Sequence, residues 1–106
     1  MPTFVFTYRM PKDHVPGGPA TMAAWTAWFA SMGADLLDIG NPVVEAAQVG
    51  TCGKGTRFGG YSFVTAEDLA SALTMAQVSP ALDAGGGVEV GVVEALRPEP
   101  RSGAQD

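Results

Sequence analysis

The sequence predicts an α+β domain whose elements follow in the order strand, helix, strand, strand, helix, strand. Three observations support this fold class. Aromatic residues alternate with β-branched or polar residues over 3–9, apolar residues recur at helical spacing over 19–32, and residues 58–95 repeat the strand-helix-strand order. A chain of 106 residues forms one domain with a modest core, so the two halves are expected to share one sheet.

The first strand and the first helix show different periodicities. Within 3–9, the even positions are aromatic and point to one side, whereas the odd positions hold β-branched residues and Arg9. A loop rich in Pro and Gly follows. Pro19 is a favourable first helical residue, and Gly33 is suited to end the helix. The apolar stripe of this helix consists of Met22, Trp25, Phe29 and Met32.

The sequence predicts the two middle strands but does not decide the conformation of the segment between them. Residues 36–39 are predicted to form the second strand, which Gly40-Asn41-Pro42 stops, and residues 58–64 to form the third. Residues 43–57 either extend the second strand past a bulge or are irregular, with a loop from Gly50 to Gly55.

The second helix is predicted to begin directly after the third strand. Thr65 is a favourable N-cap, and Asp68 has the position of the acid in a capping box. Val64 and Leu69 are spaced for a hydrophobic staple, and Ser79-Pro80 ends the helix. The buried face of this helix is expected to hold Leu69, Ala72, Leu73 and Ala76.

Two right-handed strand-helix-strand halves give the ferredoxin-like βαββαβ arrangement, a four-stranded antiparallel sheet with two helices on one face. Both sides of the strands at 3–9 and 88–95 nevertheless carry apolar or neutral residues, whereas a sheet with one wet face alternates more cleanly. We therefore expect a second copy of the chain to cover the open face in a sheet-to-sheet homodimer. The domain spans residues 1–96, and residues 97–106 form a flexible tail.

Charge and composition argue against several classes of protein. The formal net charge is −5, and the six Lys and Arg residues form no basic stripe, which argues against nucleic-acid binding and against an anionic membrane surface. No apolar run approaches the roughly 20 residues of a membrane span, and no secretory signal is visible. The single cysteine, Cys52, cannot form an internal disulfide, so a cytoplasmic location is expected.

Segments along most of the chain share the turn and packing residues of one family. They are the first strand, the Ala-Ala-Trp-Thr-Ala-Trp-Phe helix, Asp38-Ile39-Gly40-Asn41-Pro42, Gly59-Gly60-Tyr61, Ser79-Pro80-Ala81-Leu82 and Gly86-Gly87-Val88-Glu89-Val90. Over residues 3–95 the chain resembles the YCII-related proteins, which belong to the larger dimeric α/β-barrel group. The resemblance implies a ferredoxin-like protomer whose sheet packs on that of a partner.

The resemblance also bears on activity. In YCII-like members proposed as enzymes, a His near the start of the first helix pairs with an Asp before the Pro that follows the second helix. Here the first helix contains no His, and Ser79 precedes Pro80, so that pair is absent. We expect a small-molecule-binding or accessory protein. The alternative is a cofactor-independent isomerase, lyase or cyclase acting on a small aromatic or lactone substrate.

Three residues are candidates for catalysis, each with a structural interpretation beside it. His14 follows Asp13, which can orient a general base, although a Pro- and Gly-rich loop favours a solvated side chain. Arg9 at a strand end can hold a carboxylate or simply lie on the surface. Glu89 is expected on the open sheet face, where it serves a pocket or pairs with Arg9 or Arg57.

A pocket for a small organic ligand is expected between the sheet and the helices or at the dimer seam. Such sites are mostly apolar with a few polar anchors. Trp25 is assigned to the core, and Trp28 to the rim of a pocket or to a dimer contact; for both, packing is favoured over stacking on a substrate. Neither a cofactor nor a metal site is predicted, because residues 50–56 lack the spacing of a phosphate loop and the lone Cys and His cannot supply four zinc ligands. The predicted ligand-binding residues are Tyr8, Arg9, Trp28, Asn41, Tyr61 and Phe63.

Overall fold

The computed structural model describes residues 1–15 and 17–95 and contains one four-stranded sheet. The strands are β1 (Thr3–Pro11), β2 (Leu36–Pro42), β3 (Thr56–Thr65) and β4 (Gly87–Val93), and the helices are α1 (Pro19–Met32), α2 (Leu69–Ala76) and the short α3 (Pro80–Asp83). A single 3₁₀ turn, Gly33–Asp35, joins α1 to β2. The strand order is β2-β3-β1-β4 and every pairing is antiparallel, which confirms the predicted ferredoxin-like arrangement.

Strand β1 lies at the centre of the sheet and sets its two faces. Phe4 pairs with Val64 of β3, whereas Val5 pairs with Phe63, so alternate positions point to opposite faces. The register between β1 and β3 shifts after Tyr8, because Gly59 is an extra residue on the β3 side. This bulge places Phe58 opposite Arg9.

The core lies between the sheet and the helices, where the even-numbered aromatic residues of β1 point. Phe6 is fully buried, and its ring stacks on that of Trp28 with 6.0 Å between centroids. The Trp28 indole also donates a hydrogen bond to the Met75 carbonyl, 3.1 Å away, which links α1 to α2. Trp28 lies deeper than the expected rim position, because only 5% of it is exposed, whereas the half-buried Trp25 packs against the same core.

The apolar faces of the helices are narrower than the sequence predicts. In α1 the buried residues are Trp28 and Met32, while 66% of Met22 is exposed. In α2 the buried residues are alanines, and Leu69 and Leu73 remain nearly half exposed. Small side chains therefore bring α2 close to the sheet, and its leucines flank the contact instead of filling it.

The start of the second helix differs from the prediction by three residues. Thr65 remains in β3 opposite Thr3, and its hydroxyl donates to the Asp35 carboxylate at 2.9 Å. Asp68 is itself the N-cap, since its side chain accepts a hydrogen bond from the Ser71 amide at 2.8 Å. The Thr65 cap is therefore wrong because strand pairing holds that residue.

Two further boundaries follow from local hydrogen bonds. Ser79 does not merely end a helix, because its hydroxyl accepts from the Ala81 amide and caps α3. Strand β2 continues to Pro42 through Gly40, whose φ of 70° and close approach to the Tyr61 carbonyl exclude a side chain. Residues 43–55 form neither helix nor strand, which resolves the open alternative toward an irregular loop.

The last strand is shorter than predicted, because β4 ends at Val93 rather than at residue 95. The predicted tail, 97–106, lies outside the described residues. Within residues 1–15 and 17–95, no helix has the length and apolar character needed to cross a bilayer.

Candidate ligand-binding groove

The sheet separates the predicted ligand-binding residues into two groups. Tyr8 and Trp28 lie on the helix side, in the core. Arg9, Tyr61 and Phe63 alternate with core residues along β1 and β3 and therefore point to the opposite, open face. The structure does not bring the two groups into one pocket.

Tyr8 belongs to a buried chain of hydrogen bonds. Its hydroxyl donates to the Ser62 hydroxyl at 2.8 Å, and Ser62 donates in turn to the Ile39 carbonyl at 2.6 Å. Burial raises the pKa of Tyr8 to about 12, although its hydrogen bond with Ser62 acts in the other direction. This tyrosine is therefore neutral at physiological pH and serves packing and hydrogen bonding between β1, β2 and β3.

The open face carries aromatic side chains that no helix covers. Tyr61 and Phe63 meet edge to face with 6.1 Å between ring centroids, and Val5 lies opposite Phe63. Asn41 of β2 donates from its amide to the Tyr61 hydroxyl at 3.1 Å. These side chains form a partly apolar surface in the middle of the sheet.

The structure does not bring the three catalytic candidates together. His14 lies in the turn after β1, where its backbone amide donates to the Pro11 carbonyl at 2.9 Å. Glu89 is exposed on the open face opposite Thr7. Arg9 directs its guanidinium to Thr56 rather than to Glu89.

A groove of about 580 Å³ lies where β1 ends and β3 begins, beneath the irregular loop 43–55. Its volume is within the range of small-molecule sites, roughly 300–1,000 Å³. The residues that line it come from β1, the turn after it, the loop and β3: Arg9, Lys12, Ala46, Ala47, Gln48, Cys52, Thr56, Arg57 and Phe58.

The lining of this groove is positively charged. It contains three of the four Lys and Arg residues in the described part of the chain, Lys54 being the fourth, and the described lining includes no Asp, Glu or His. The antiparallel register pairs Arg57 with Met10 and Thr56 with Pro11, so Arg9, Lys12 and Arg57 lie at the same end of the β1–β3 pair. An anion is the ligand that such a lining attracts.

Hydrogen bonds hold both arginines in place. Arg9 donates from Nε to the Thr56 hydroxyl at 3.2 Å and from Nη2 to the Thr56 carbonyl at 3.1 Å. Arg57 donates from Nη1 to the Val43 carbonyl at 3.2 Å, which ties the loop to β3. The guanidinium groups are therefore fixed before any ligand binds.

The loop above the groove is shaped by its own hydrogen bonds. The Gln48 amide donates to the Gly53 carbonyl at 3.0 Å, and the Cys52 thiol contacts the Val49 carbonyl at 3.7 Å. A side chain at position 53 would come within 3.7 Å of the Arg9 guanidinium, so the loop passes close to that group.

Sequence reasoning named Arg9 but missed most of the groove. Lys12, Gln48, Thr56, Arg57 and Phe58 were not among the predicted site residues, and the register of β1 against β3 is what joins them. The available signal was the position of the cations, just after the first predicted strand and just before the third.

A second cavity, of about 150 Å³, lies on the helix side. It is lined by Trp28, Ser31, Met32, Asp35, Met75 and Val78. Its volume is below the usual range for a small-molecule site, and we treat it as a packing defect between α1 and α2. Within the described residues, no three His, Cys, Asp or Glu side chains group closely enough to hold a metal ion.

Comparisons with known proteins give one informative result. No protein-family model matches the chain, and no curated protein sequence matches it. Among solved structures, the chain is similar to 5-chloro-2-hydroxyhydroquinone dehydrochlorinase (TftG) from Burkholderia phenoliruptrix AC1100, in complex with 2,5-dihydroxybenzoquinone. The TM-score is 0.56 at 22% identity, covering 87% of this chain and 93% of the other, which supports a shared fold.

Proposed function

We propose that this chain is a YCII-related, homodimeric protein that binds a small organic molecule in the groove between β1, β3 and the loop 43–55. The observation that carries the proposal is the groove itself, which combines the volume of a ligand site with two arginines held in fixed positions. A cytoplasmic location belongs to the same proposal and rests on the single cysteine, Cys52.

The homodimer is supported by the open face of the sheet. Val5, Tyr61 and Phe63 form an apolar centre there, and 40% of Val93 at the edge of the same face is exposed. Surfaces of this kind are typical of interfaces between protein chains. A two-fold pairing of the two sheets would bury the apolar centre of each chain against that of the other and would leave the groove near the edge of the interface.

The structural neighbour supports the ligand class. TftG is an enzyme whose structure contains 2,5-dihydroxybenzoquinone, a small oxygenated ring compound. A groove of about 580 Å³ with Phe58 in its wall is large enough for one such ring. We therefore place small ring compounds first among the ligands to be tested.

The alternative function is cofactor-independent isomerisation, elimination or cyclisation of a small aromatic or lactone compound. It is favoured by the neighbour being an enzyme. General acid-base catalysis needs a titrating group within hydrogen-bond reach of the substrate. Neither His14 nor Glu89 lines the groove, and binding without turnover is therefore the function we favour.

The proposal is tested by nuclear magnetic resonance of the ¹⁵N-labelled protein with a panel of single-ring compounds. We expect at least one compound to shift the amide signals of Gln48, Arg57 and Phe58, while those of Leu73 and Val78 on the helix side stay unchanged. Shifts confined to the helix side, or none with any compound, would contradict the groove as the site. Consumption of a compound during the experiment would favour the enzymatic alternative.

A further inference from the structure

We infer that the groove selects ligands that carry a carboxylate on a single aromatic ring. This inference rests on the proposed function and adds the chemical class of the ligand.

The placement of charge is unusual for this chain. Eleven Asp and Glu residues against six Lys and Arg give a net charge of −5, so the molecule as a whole repels anions. Arg9, Lys12 and Arg57 nevertheless line one groove whose described lining holds no acidic residue. An anion in the groove is attracted by these three cations and is repelled by no acidic side chain of the described lining, which makes an anionic ligand the favoured occupant.

The arginines present a geometry that suits a carboxylate. A guanidinium has five N–H donors; within the described residues two of those on Arg9 bond to Thr56 and one on Arg57 bonds to Val43. The other donors are available to a ligand from groups whose orientation is already fixed, which lowers the entropy lost on binding. A planar fork of this kind pairs with a carboxylate through two parallel hydrogen bonds.

The wall beside the cations is apolar. Phe58 lies opposite Arg9 on the same side of the sheet, and Ala46 and Ala47 contribute methyl groups from the loop. An aromatic ring can pack against Phe58 while its carboxylate reaches Arg9. A small aliphatic acid would leave this wall unused, and a polyanion such as nucleic acid exceeds a groove of about 580 Å³.

The first test compares 4-hydroxybenzoate with 4-hydroxybenzamide, which has nearly the same shape and no charge. Affinities come from calorimetry at low ionic strength, and the binding position comes from amide shifts at Arg57 and Phe58. We expect the acid to bind at least tenfold more tightly than the amide. Equal affinities at the groove would overturn this inference and leave the proposed function intact. Binding of neither compound at the groove would also overturn this inference, whereas the proposed function fails only when no compound of the wider panel shifts the groove amides.

The second test uses variants. Arg9→Gln should weaken the acid at least tenfold and leave the amide within twofold, and Arg57→Gln repeats the test if Arg9→Gln fails to fold. Lys54→Gln is the matched control, because Lys54 belongs to the same loop region but does not line the groove. A loss of affinity in Lys54→Gln as large as in Arg9→Gln would show a general charge effect and overturn the inference.

Arginine geometry is tested by Arg9→Lys, which keeps the charge but not the planar fork. We expect Arg9→Lys to bind the acid more weakly than the wild type and more tightly than Arg9→Gln. If Arg9→Lys bound the acid as tightly as the wild type, the claim that Arg9 binds the carboxylate through two paired hydrogen bonds would be wrong. If the wild type bound phenyl phosphate more tightly than 4-hydroxybenzoate, the inference that the groove selects carboxylates would be wrong.

Discussion

The two faces of the sheet differ in what covers them. On the helix side, Phe4, Phe6 and Val64 are almost wholly buried by residues of the same chain. On the open side, Tyr61 and Phe63 occupy the same strand as Val64 but have no helix above them. The helix side holds the core of the fold, and the open side carries Tyr61, Phe63 and Arg9, which no helix covers.

This difference separates residues that act in packing from residues available for binding. An aromatic residue in β1 points to the helices, where its neighbours are fixed, so its substitution should change stability. An aromatic or cationic residue on the open side should change association or ligand binding instead. Substitutions on the two sides of the sheet should therefore have separable effects.

Replacing Phe6 by Ala should have the largest effect on stability. Phe6 is fully buried against Trp28, and removing a buried Phe typically costs about 3–5 kcal/mol through lost burial and the cavity left behind. Urea denaturation at one fixed protein concentration measures the free energy of unfolding. Val5→Ala, on the neighbouring residue of the open side, is the control and should cost less than half as much. Equal losses would contradict the division between the two faces.

Replacing Phe63 by Glu should separate the proposed dimer. A charge placed in an apolar two-fold interface is buried once from each chain, and we expect the dimer dissociation constant to rise about a hundredfold, or roughly 2.7 kcal/mol. Sedimentation equilibrium measures this constant. Val78→Glu is the control, because 71% of Val78 is exposed on the helix side. Dissociation by Val78→Glu and not by Phe63→Glu would place the interface on the helices.

The buried hydroxyl of Tyr8 should make stability depend on alkaline pH. The folded-state pKa is raised to about 12 from the ordinary value of 10, so the folded protein holds the phenolic proton where the unfolded chain loses it. Stability is fully present below pH 10 and decreases as the pH rises toward 12, by at most about 1.4 kcal/mol per pH unit.

The matched variant for this effect is Tyr8→Phe, which keeps the ring and removes the proton. Its free energy of unfolding, measured by urea denaturation from pH 8 to pH 11, should be lower than that of the wild type near pH 8, because the hydrogen bond to Ser62 is lost. It should also decrease less steeply above pH 10. A slope equal to that of the wild type would show that Tyr8 does not carry the alkaline dependence.

The helix cap at Asp68 should give the smallest effect. The hydrogen bond from the Ser71 amide lowers the pKa of Asp68 below its ordinary value of 3.8, so the cap stabilises the fold above that pH and is lost as the pH falls through the lowered pKa. Asp68→Ala should lower the melting temperature at pH 7, and Asp68→Asn should retain most of the cap without the acid dependence. If the stability of Asp68→Asn fell at acidic pH as much as that of the wild type, the acid dependence would not come from the Asp68 cap.

Much of the fold could be predicted because local signals and tertiary packing agree there. Alternation over 3–9 and the Pro19 and Gly33 ends of α1 were sufficient for those elements. The prediction was wrong at Thr65, where pairing with Thr3 extends the strand and moves the cap to Asp68. A capping motif is a local preference, and it yields when strand pairing satisfies the same backbone groups.

The site was less predictable than the fold. The groove joins two segments about 45 residues apart in the chain, which contribute Arg9 and Lys12, and Arg57 and Phe58. A one-residue bulge at Gly59 decides which of these side chains share a face of the sheet. The ligand class and the partner depend on surfaces formed by several elements together, and the hydrophobic periodicity of a single element does not predict such surfaces. The depth of Trp28 was missed for a related reason, because the rotation of α1 on the sheet is set by packing against Phe6.

The central claim is that a second copy of the chain covers the open side of the sheet. The most direct test is the mass of the wild-type protein in native mass spectrometry at micromolar concentration. We predict a species of twice the 10.9 kDa chain mass, which converts to the single-chain mass in Phe63→Glu. A wild-type protein that is monomeric throughout this range would contradict the claim.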